Sequence, residues 1–237
     1  MNHLDLLTEG AARMGIRMPR ADRRRFETYL SELLEWNRAL NLIGTLDPRE
    51  VIVKHFLDSM ATKQSGLLEG PKRTVDIGSG AGFPGLPLRI VCPGTKLVIV
   101  ESSGKKADFL AHLTKRLDLD AGFVRDRVEV YGQGSGRSGF DVALARGLAS
   151  LPVLIEYGLP LLKVGGSLVA LKGPKAQEEA KSAKAALAAV GGILGDVKKV
   201  DVPFLEGERF LVVVEKASET PARYPRRSGM PAKRPLA

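Results

Sequence analysis

TVDIGSGAGFPGLPLRIVCPGTKLVIVE, residues Thr74 to Glu101, reads as strand, glycine loop, helix and strand in succession. Thr74 to Ile77 is a short β-branched run. Gly78-Ser79-Gly80-Ala81-Gly82 follows, a turn dense in residues that tolerate φ > 0. Pro84 to Val91 has the start of a helix, where proline forfeits no hydrogen bond. Lys96 to Val100 is a second strand ending on an acid, Glu101. Glycines let a ligand approach the backbone, and an acid at the next strand's tip can accept from ribose hydroxyls. The stretch predicts a nucleoside-bearing cofactor.

Two frames fit it. Gly80-x-Gly82-x-x-Gly85 matches the dinucleotide fingerprint, with Glu101 about 20 residues on. Asp76-x-Gly78-x-Gly80-x-Gly82 instead resembles motif I of the S-adenosylmethionine-dependent methyltransferases. The Asp76 carboxylate can orient the loop or meet the cofactor's ammonium group. It would repel a pyrophosphate and attract a sulfonium. Pro84 also removes an N–H that a phosphate would want. The methyl donor is the better fit, and an NAD-dependent enzyme is the alternative.

With 237 residues, 44% hydrophobic and 27% charged, the chain suits one sizeable α/β domain with a helical appendage. A formal charge of +9 and a pI near 9.7 point to polyanionic partners without naming one. One cysteine, Cys92, rules out a disulfide framework and a cysteine-based zinc cluster. His3, His55 and His112 are too scattered for a ligand set, so no metal is expected. No apolar run reaches about 18 residues and no cleavable leader is apparent, so the expected setting is cytoplasmic, away from membranes.

Residues 1–70 read as a helical region. Leu4, Leu6, Leu7, Ala11 and Met14 share a face, and Phe26, Tyr29, Leu30, Leu33, Leu34 and Trp36 form the stripe of a helix over Arg20 to Leu40. Asp47-Pro48-Arg49-Glu50 is a helix start. Residues 71–217 alternate strands and helices, the signature of a doubly wound, mostly parallel sheet. Phe123 to Val130 is expected as a strand with its edge near Val128-Glu129, Gly165-Gly166 as a turn, and Lys175 to Val190 as one helix. Val197 to Val202 and Phe210 to Lys216 lie too close for a crossover helix, so the last strand must be antiparallel. Residues 218–237 form a basic tail whose four prolines, Pro221, Pro225, Pro231 and Pro235, argue against regular structure. It reads as a disordered end or a phosphate-tracking arm, with Tyr224 stacking beside Arg226 and Arg227.

LNLIGTLDPREVIVKHFLDS (Leu40 to Ser59), VDIGSGAGFPGLPLRIV (Val75 to Val91), ESSGKKADFL (Glu101 to Leu110), ARGLASLPVLIEYGLPLLKVGG (Ala145 to Gly166) and ALKG (Ala170 to Gly173) carry a wider resemblance. In that order, they make the chain similar to the bacterial small-subunit rRNA guanine-N7 methyltransferases, the glucose-inhibited division protein B family. The resemblance implies the class I methyltransferase fold, Rossmann-like with an antiparallel last strand, preceded by a helical region. It implies S-adenosylmethionine as cofactor and 16S rRNA or the small ribosomal subunit, an assembly intermediate included, as partner. Taken by position, it implies cofactor contacts at Gly78, Phe83, Glu101, Ser102, Ser103, Val128, Glu129 and Arg146. Asp76, Gly80 and Gly82 join them through the loop motif. Gly147-Leu148 departs from the common pattern, where many relatives carry alanine and a larger apolar residue.

The chemistry can be narrowed without the family. Cytosine C5 methylation needs a thiol nucleophile, and Cys92 sits in the wrong element. Amino-group methylation uses an acid or Asn followed by Pro-Pro-aromatic after the fourth strand, where this chain has Ala145-Arg146-Gly147-Leu148. Arginine can donate but cannot accept an amino proton. A ring-nitrogen acceptor such as guanine N7 needs no base, which leaves positioning as the enzyme's task. Arg146 and Lys172 are the positioning candidates, and Asn41, His55, Lys172, Arg226 and Arg227 the candidates for RNA contact. A nucleic-acid-binding protein without activity is a further alternative, and the expected state is a monomer.

Overall fold

The computed structural model describes residues 3–236, so residues 1, 2 and 237, at the ends of the expected helical region and tail, lie outside it. A seven-stranded sheet has the order β3-β2-β1-β4-β5-β7-β6. β1 (Arg73–Ile77) pairs in parallel with β2 (Lys96–Val100) and β4 (Phe140–Arg146). β3 (Ala121–Val124) and β5 (Leu162–Lys172) extend the parallel set. β6 (Gly192–Val200) and β7 (Arg209–Lys216) form the expected hairpin, and β7 runs antiparallel to β5. The chain reverses its winding at β1, which opens a crevice at the carboxyl ends of β1 and β4.

Alternation along the strands divides the apolar residues between two cores. Val142, Leu144, Val169 and Leu171 face one side, packed on α1 (His3–Arg13), α2 (Arg20–Leu40), α5 (Gly85–Val91) and α6 (Gly104–Leu117). Val75, Ile77, Ala143 and Ala145 face the other, packed on α8 (Leu151–Gly158), α9 (Ala176–Ser182) and α10 (Lys184–Val190). The N-terminal helices therefore supply much of one covering layer. No helix among the described residues is long and apolar enough to cross a membrane.

The Asp47 start is as expected: its carboxylate accepts from the Arg49 N–H at 2.9 Å. From there the backbone passes through α3 (Pro48–Val51), a π-helical turn over Ile52–Leu57 and α4 (Asp58–Met60). π-Turns of this kind often mark functional positions.

Several expectations need correction. The strand placed at Phe123 to Val130 stops at Val124, and Val128 instead opens α7 (Val128–Gln133). The exposed Arg125-Asp126-Arg127 triplet breaks the strand, with the Asp126 side chain accepting from the Arg127 N–H. Val128 is buried and Val130 46% exposed, two sides of a helix that read as β-branched strand residues. Gly165-Gly166 is not a turn between elements but an irregularity inside β5, where a Cβ on Gly166 would lie 2.9 Å from the Asp141 carbonyl oxygen. The helix expected over Lys175 to Val190 breaks at Ala183.

The tail departs furthest. It packs on the body, with Thr220 and Tyr224 buried and a short α11 (Met230–Lys233) that takes Pro231 in its first turn. Arg137 donates to the Thr220 and Tyr224 carbonyls. Arg226 closes a two-point ion pair on Glu156, with Nε–Oε1 at 2.8 Å and Nη2–Oε2 at 2.6 Å. The Glu156 carboxylate is 1% exposed, so the arginine cancels a charge that water cannot reach. Arg226→Ala should lower unfolding free energy by about 3 kcal/mol in urea titrations, whereas Glu156→Gln, which removes the stranded charge, should lose less.

Candidate cofactor and substrate site

Asp76 lies on β1 in register with Leu144, on the side that the N-terminal helices cover, and it is fully buried. Its Oδ2 accepts from the Gly85 N–H at 2.9 Å and from the Ser79 hydroxyl. A Cβ at Gly85 would sit 2.6 Å from that oxygen, which accounts for the glycine there. Gly78 and Gly80 take φ of +66° and +61°, the left-handed region glycine enters without strain. From the neighbouring strand, Glu101 accepts from the Gly80 N–H at 2.9 Å and the Ser103 N–H at 2.8 Å. Two carboxylates thus hold the loop from below and from the side. Burial pushes the Asp76 carboxyl up to about 6, opposed by its hydrogen bonds from Ser79 and Gly85.

Above the loop stands an aromatic stack. The Tyr29 hydroxyl donates to the Ala81 carbonyl at 2.6 Å, and its ring lies parallel to Phe83 at 5.5 Å. Phe83 stacks on His55 at 4.9 Å, and the Arg146 guanidinium lies 5.1 Å from the same ring. Arg146 Nη1 donates to Asp58 Oδ2 at 2.7 Å and to the Lys54 carbonyl at 2.8 Å, and Nη2 lies 2.8 Å from His55 Nδ1. The other Asp58 oxygen accepts from Arg209 Nε at 2.8 Å. This cluster ties β4, β7 and the π-turn into one wall. Burial, then the Arg146 charge, pushes the His55 imidazole down to about 3.

Loop and wall enclose a cavity of about 770 Å³, enough for a nucleoside cofactor with part of an acceptor beside it. Gly78, Gly80, Phe83, Glu101 and Ser102 line it, as do His55, Arg146 and Lys172. A smaller cavity of about 70 Å³ is lined by Gly78, Ser102, Asp126, Val128, Glu129 and Tyr157, among others. Leu148 borders both and rests on Gly78, where an added Cβ would meet it at 2.6 Å.

The remaining predicted residues divide between the cavity linings and the structure behind them. Asp76, Gly82 and Ser103 shape the loop without lining either cavity. Glu129 is buried, lines the smaller cavity and accepts from the Gly229 N–H at 2.7 Å. Lys172 donates to the Ala149 carbonyl at 2.8 Å and pairs with Glu179 at 2.7 Å. Glu179 accepts from the Leu151 N–H, so the pair braces the loop after β4. Asn41 caps α2 at φ +48°, and Asn41, Arg226 and Arg227 line neither cavity.

Sequence reading passed over Asp58, Asn37 and the hydroxyl of Tyr29. Asn37 fixes the 41–45 loop through the Ile43 N–H and the Thr45 carbonyl. Asp58 follows His55 at i+3, a helical spacing that put both on one face and offered the missing signal.

The residues fit S-adenosylmethionine. Asp76 Oδ1 is buried without a partner beneath the loop, a carboxylate suited to a cationic ligand above it. A Cβ on Gly80 would meet no atom within 4 Å, so that backbone faces open space. Glu101 at the β2 tip faces the cavity as a ribose acceptor would. Fold and site together define a class I S-adenosylmethionine-dependent methyltransferase.

A family model described as GidB, rRNA small subunit methyltransferase G, matches residues 22–209. The chain is 43% identical over 236 residues to ribosomal RNA small subunit methyltransferase G of Lactobacillus johnsonii, covering 98% of this chain and 99% of the relative. It is 44% identical over 235 residues to the protein of that name from Roseiflexus castenholzii, covering 98% and 100%. Among solved structures, a Burkholderia thailandensis 1,6-didemethyltoxoflavin-N1-methyltransferase with bound S-adenosylhomocysteine superposes with a TM-score of 0.53 at 16% identity, covering 81% of this chain and 88% of that one. The chain belongs to the rRNA small subunit methyltransferase G family.

Asp76 yields a prediction whose sign is set by its burial. It holds its proton more tightly folded than unfolded, where the value is 3.8. Its contribution to stability is complete below that value and is lost as pH rises through about 6. Asp76→Asn cannot ionise, so its stability relative to wild type should rise by on the order of 2 kcal/mol between about pH 4 and 7 in chemical denaturation. A difference that stays constant with pH would contradict the assignment.

Proposed function

We propose that the protein transfers a methyl group from S-adenosylmethionine to N7 of a guanine in 16S ribosomal RNA. The observation that carries this reading is the end of β4. Where amino-group methylation needs a proton acceptor, the structure presents Arg146, a donor-only group already tied to His55 and Asp58. The Asp58 carboxylate is held between two arginines and Glu101 by two backbone N–H groups, so neither is free to act as a general base.

When bound, the cofactor supplies both methyl and leaving group: the N7 lone pair bonds the methyl carbon as the carbon–sulfur pair stays on sulfur, and no proton is released. The chain's own task is orientation, which can supply up to about 7–11 kcal/mol of the barrier. In this reading the glycine loop, Phe83, Glu101 and Ser102 hold the cofactor. Val128 and Asp126 offer the adenine an edge of the smaller cavity. Arg146 and Lys172 keep the wall and the loop after β4 in register with the acceptor.

The formal charge of +9 supports an RNA-backbone partner, and the relatives named above carry small-subunit rRNA in their names. We read the substrate as that RNA within the small subunit or an assembly intermediate, reached by a cytoplasmic monomer. Asn41 and Arg227, both exposed, are candidates for backbone contact outside the cavity.

Calorimetric titration separates this reading from the dinucleotide alternative. S-adenosylhomocysteine should bind one site per chain, and NADH should not compete. Gly80→Val, which places a branched side chain at φ +61° facing the cavity, should abolish that binding while leaving the far-UV spectrum intact. Tight NADH binding with none for the adenosyl ligand would contradict it.

A further inference from the structure

His55 lies in the cavity wall beside Lys54 and Asp58, and the methyl transfer described above gives it no task. Its ring is fixed twice, by its face on Phe83 (interplanar angle 19°) and by Nδ1 against Arg146 Nη2 at 2.8 Å. A guanidinium has donors and no lone pair, so Nδ1 must be the acceptor and the ring proton must sit on Nε2. With the imidazole pushed down to about 3 by burial and then by Arg146, that neutral tautomer holds across the physiological range. Among the described residues the ring's one hydrogen bond is at Nδ1, which leaves Nε2 without a protein partner where the ring borders the cavity.

A fixed neutral donor beside the methyl acceptor answers a problem the reaction poses. N7 presents the same lone pair in guanine and in adenine, so the reacting atom alone does not distinguish them. The adjacent substituent does: O6 of guanine accepts a hydrogen bond, whereas N6 of adenine donates one. A cationic side chain at that point would oppose the positive charge the purine gains on methylation. A neutral imidazole imposes no such opposition, and Arg146, which holds it, keeps its own charge turned toward Asp58.

We propose that His55 is the specificity-determining donor of the site, its Nε2–H reading O6 of the guanine whose N7 is methylated. The inference rests on the guanine-N7 reading above. Two substitutions divide the ring's functions. His55→Asn keeps an acceptor near Nδ1 for Arg146 and removes the Nε2 donor, while His55→Gln keeps a donor near Nε2 and removes the acceptor.

The assay is methyl transfer to small ribosomal subunits from cells lacking the protein, with product nucleosides identified by mass spectrometry and S-adenosylhomocysteine affinity measured by calorimetry. Asn should lower kcat/KM by about 10–100-fold with cofactor affinity unchanged, and Gln should recover most of that loss. A substrate-side arm needs only wild-type protein. Reconstituted RNA with 2-aminopurine at the target keeps N7 but lacks O6, and should react about 10–100-fold more slowly than RNA with inosine there, which retains O6.

Gln impaired as much as Asn would reduce His55 to a strut for Arg146 and overturn the proposal. Cofactor affinity falling in step with activity in Asn would assign the donor to the cofactor instead, and equal rates on the two purine analogues would overturn it directly. A wild-type product other than N7-methylguanosine would remove the reading beneath, and this inference with it, whatever the variants do.

Discussion

A carboxylate sealed from water at the tip of β1 is the constraint on which the site depends. Asp76 reaches both ends of the glycine loop, the Ser79 hydroxyl and the Gly85 N–H, and so sets the path of the backbone between them. Burying an acid this way opposes its ionisation, and the fold tolerates it because two donors face one of its oxygens. The second oxygen is buried without a hydrogen-bond partner. The shape of the loop that floors the cavity follows from one side chain.

The opposite wall comes from the N-terminal helices. Tyr29 and His55 clasp Phe83 of the loop, while Asp58 gathers Arg146 from β4 and Arg209 from β7. The Asp58 side chain is 4% exposed, so removing either arginine would leave a buried charge undercompensated. These helices complete the wall of the large cavity as well as one core of the sheet. The tail does comparable work on the far side: Gly229 holds Glu129 at the start of α7, and Arg226 neutralises Glu156.

The strands, the N-terminal helices and the short final hairpin were legible in the sequence because each is a local pattern: β-branched runs, period 3.6 and loop length. The glycine loop was legible for the same reason, since Asp76, the glycines and Glu101 lie within one β-α-β unit. Tertiary partners were not. Arg226 read as a free cation because its carboxylate, Glu156, stands 70 residues away. Val128 and Val130 read as strand because β-branched residues suit either element until burial chooses between them. Asp58 looked ordinary until two arginines from distant strands converged on it.

The most direct test of the proposed guanine-N7 methylation is a nucleoside mass map of small-subunit ribosomal RNA from cells with and without the gene. The account predicts that one N7-methylguanosine disappears on deletion and returns with the wild-type protein. A map unchanged by deletion, with that N7-methylguanosine still present, would contradict it.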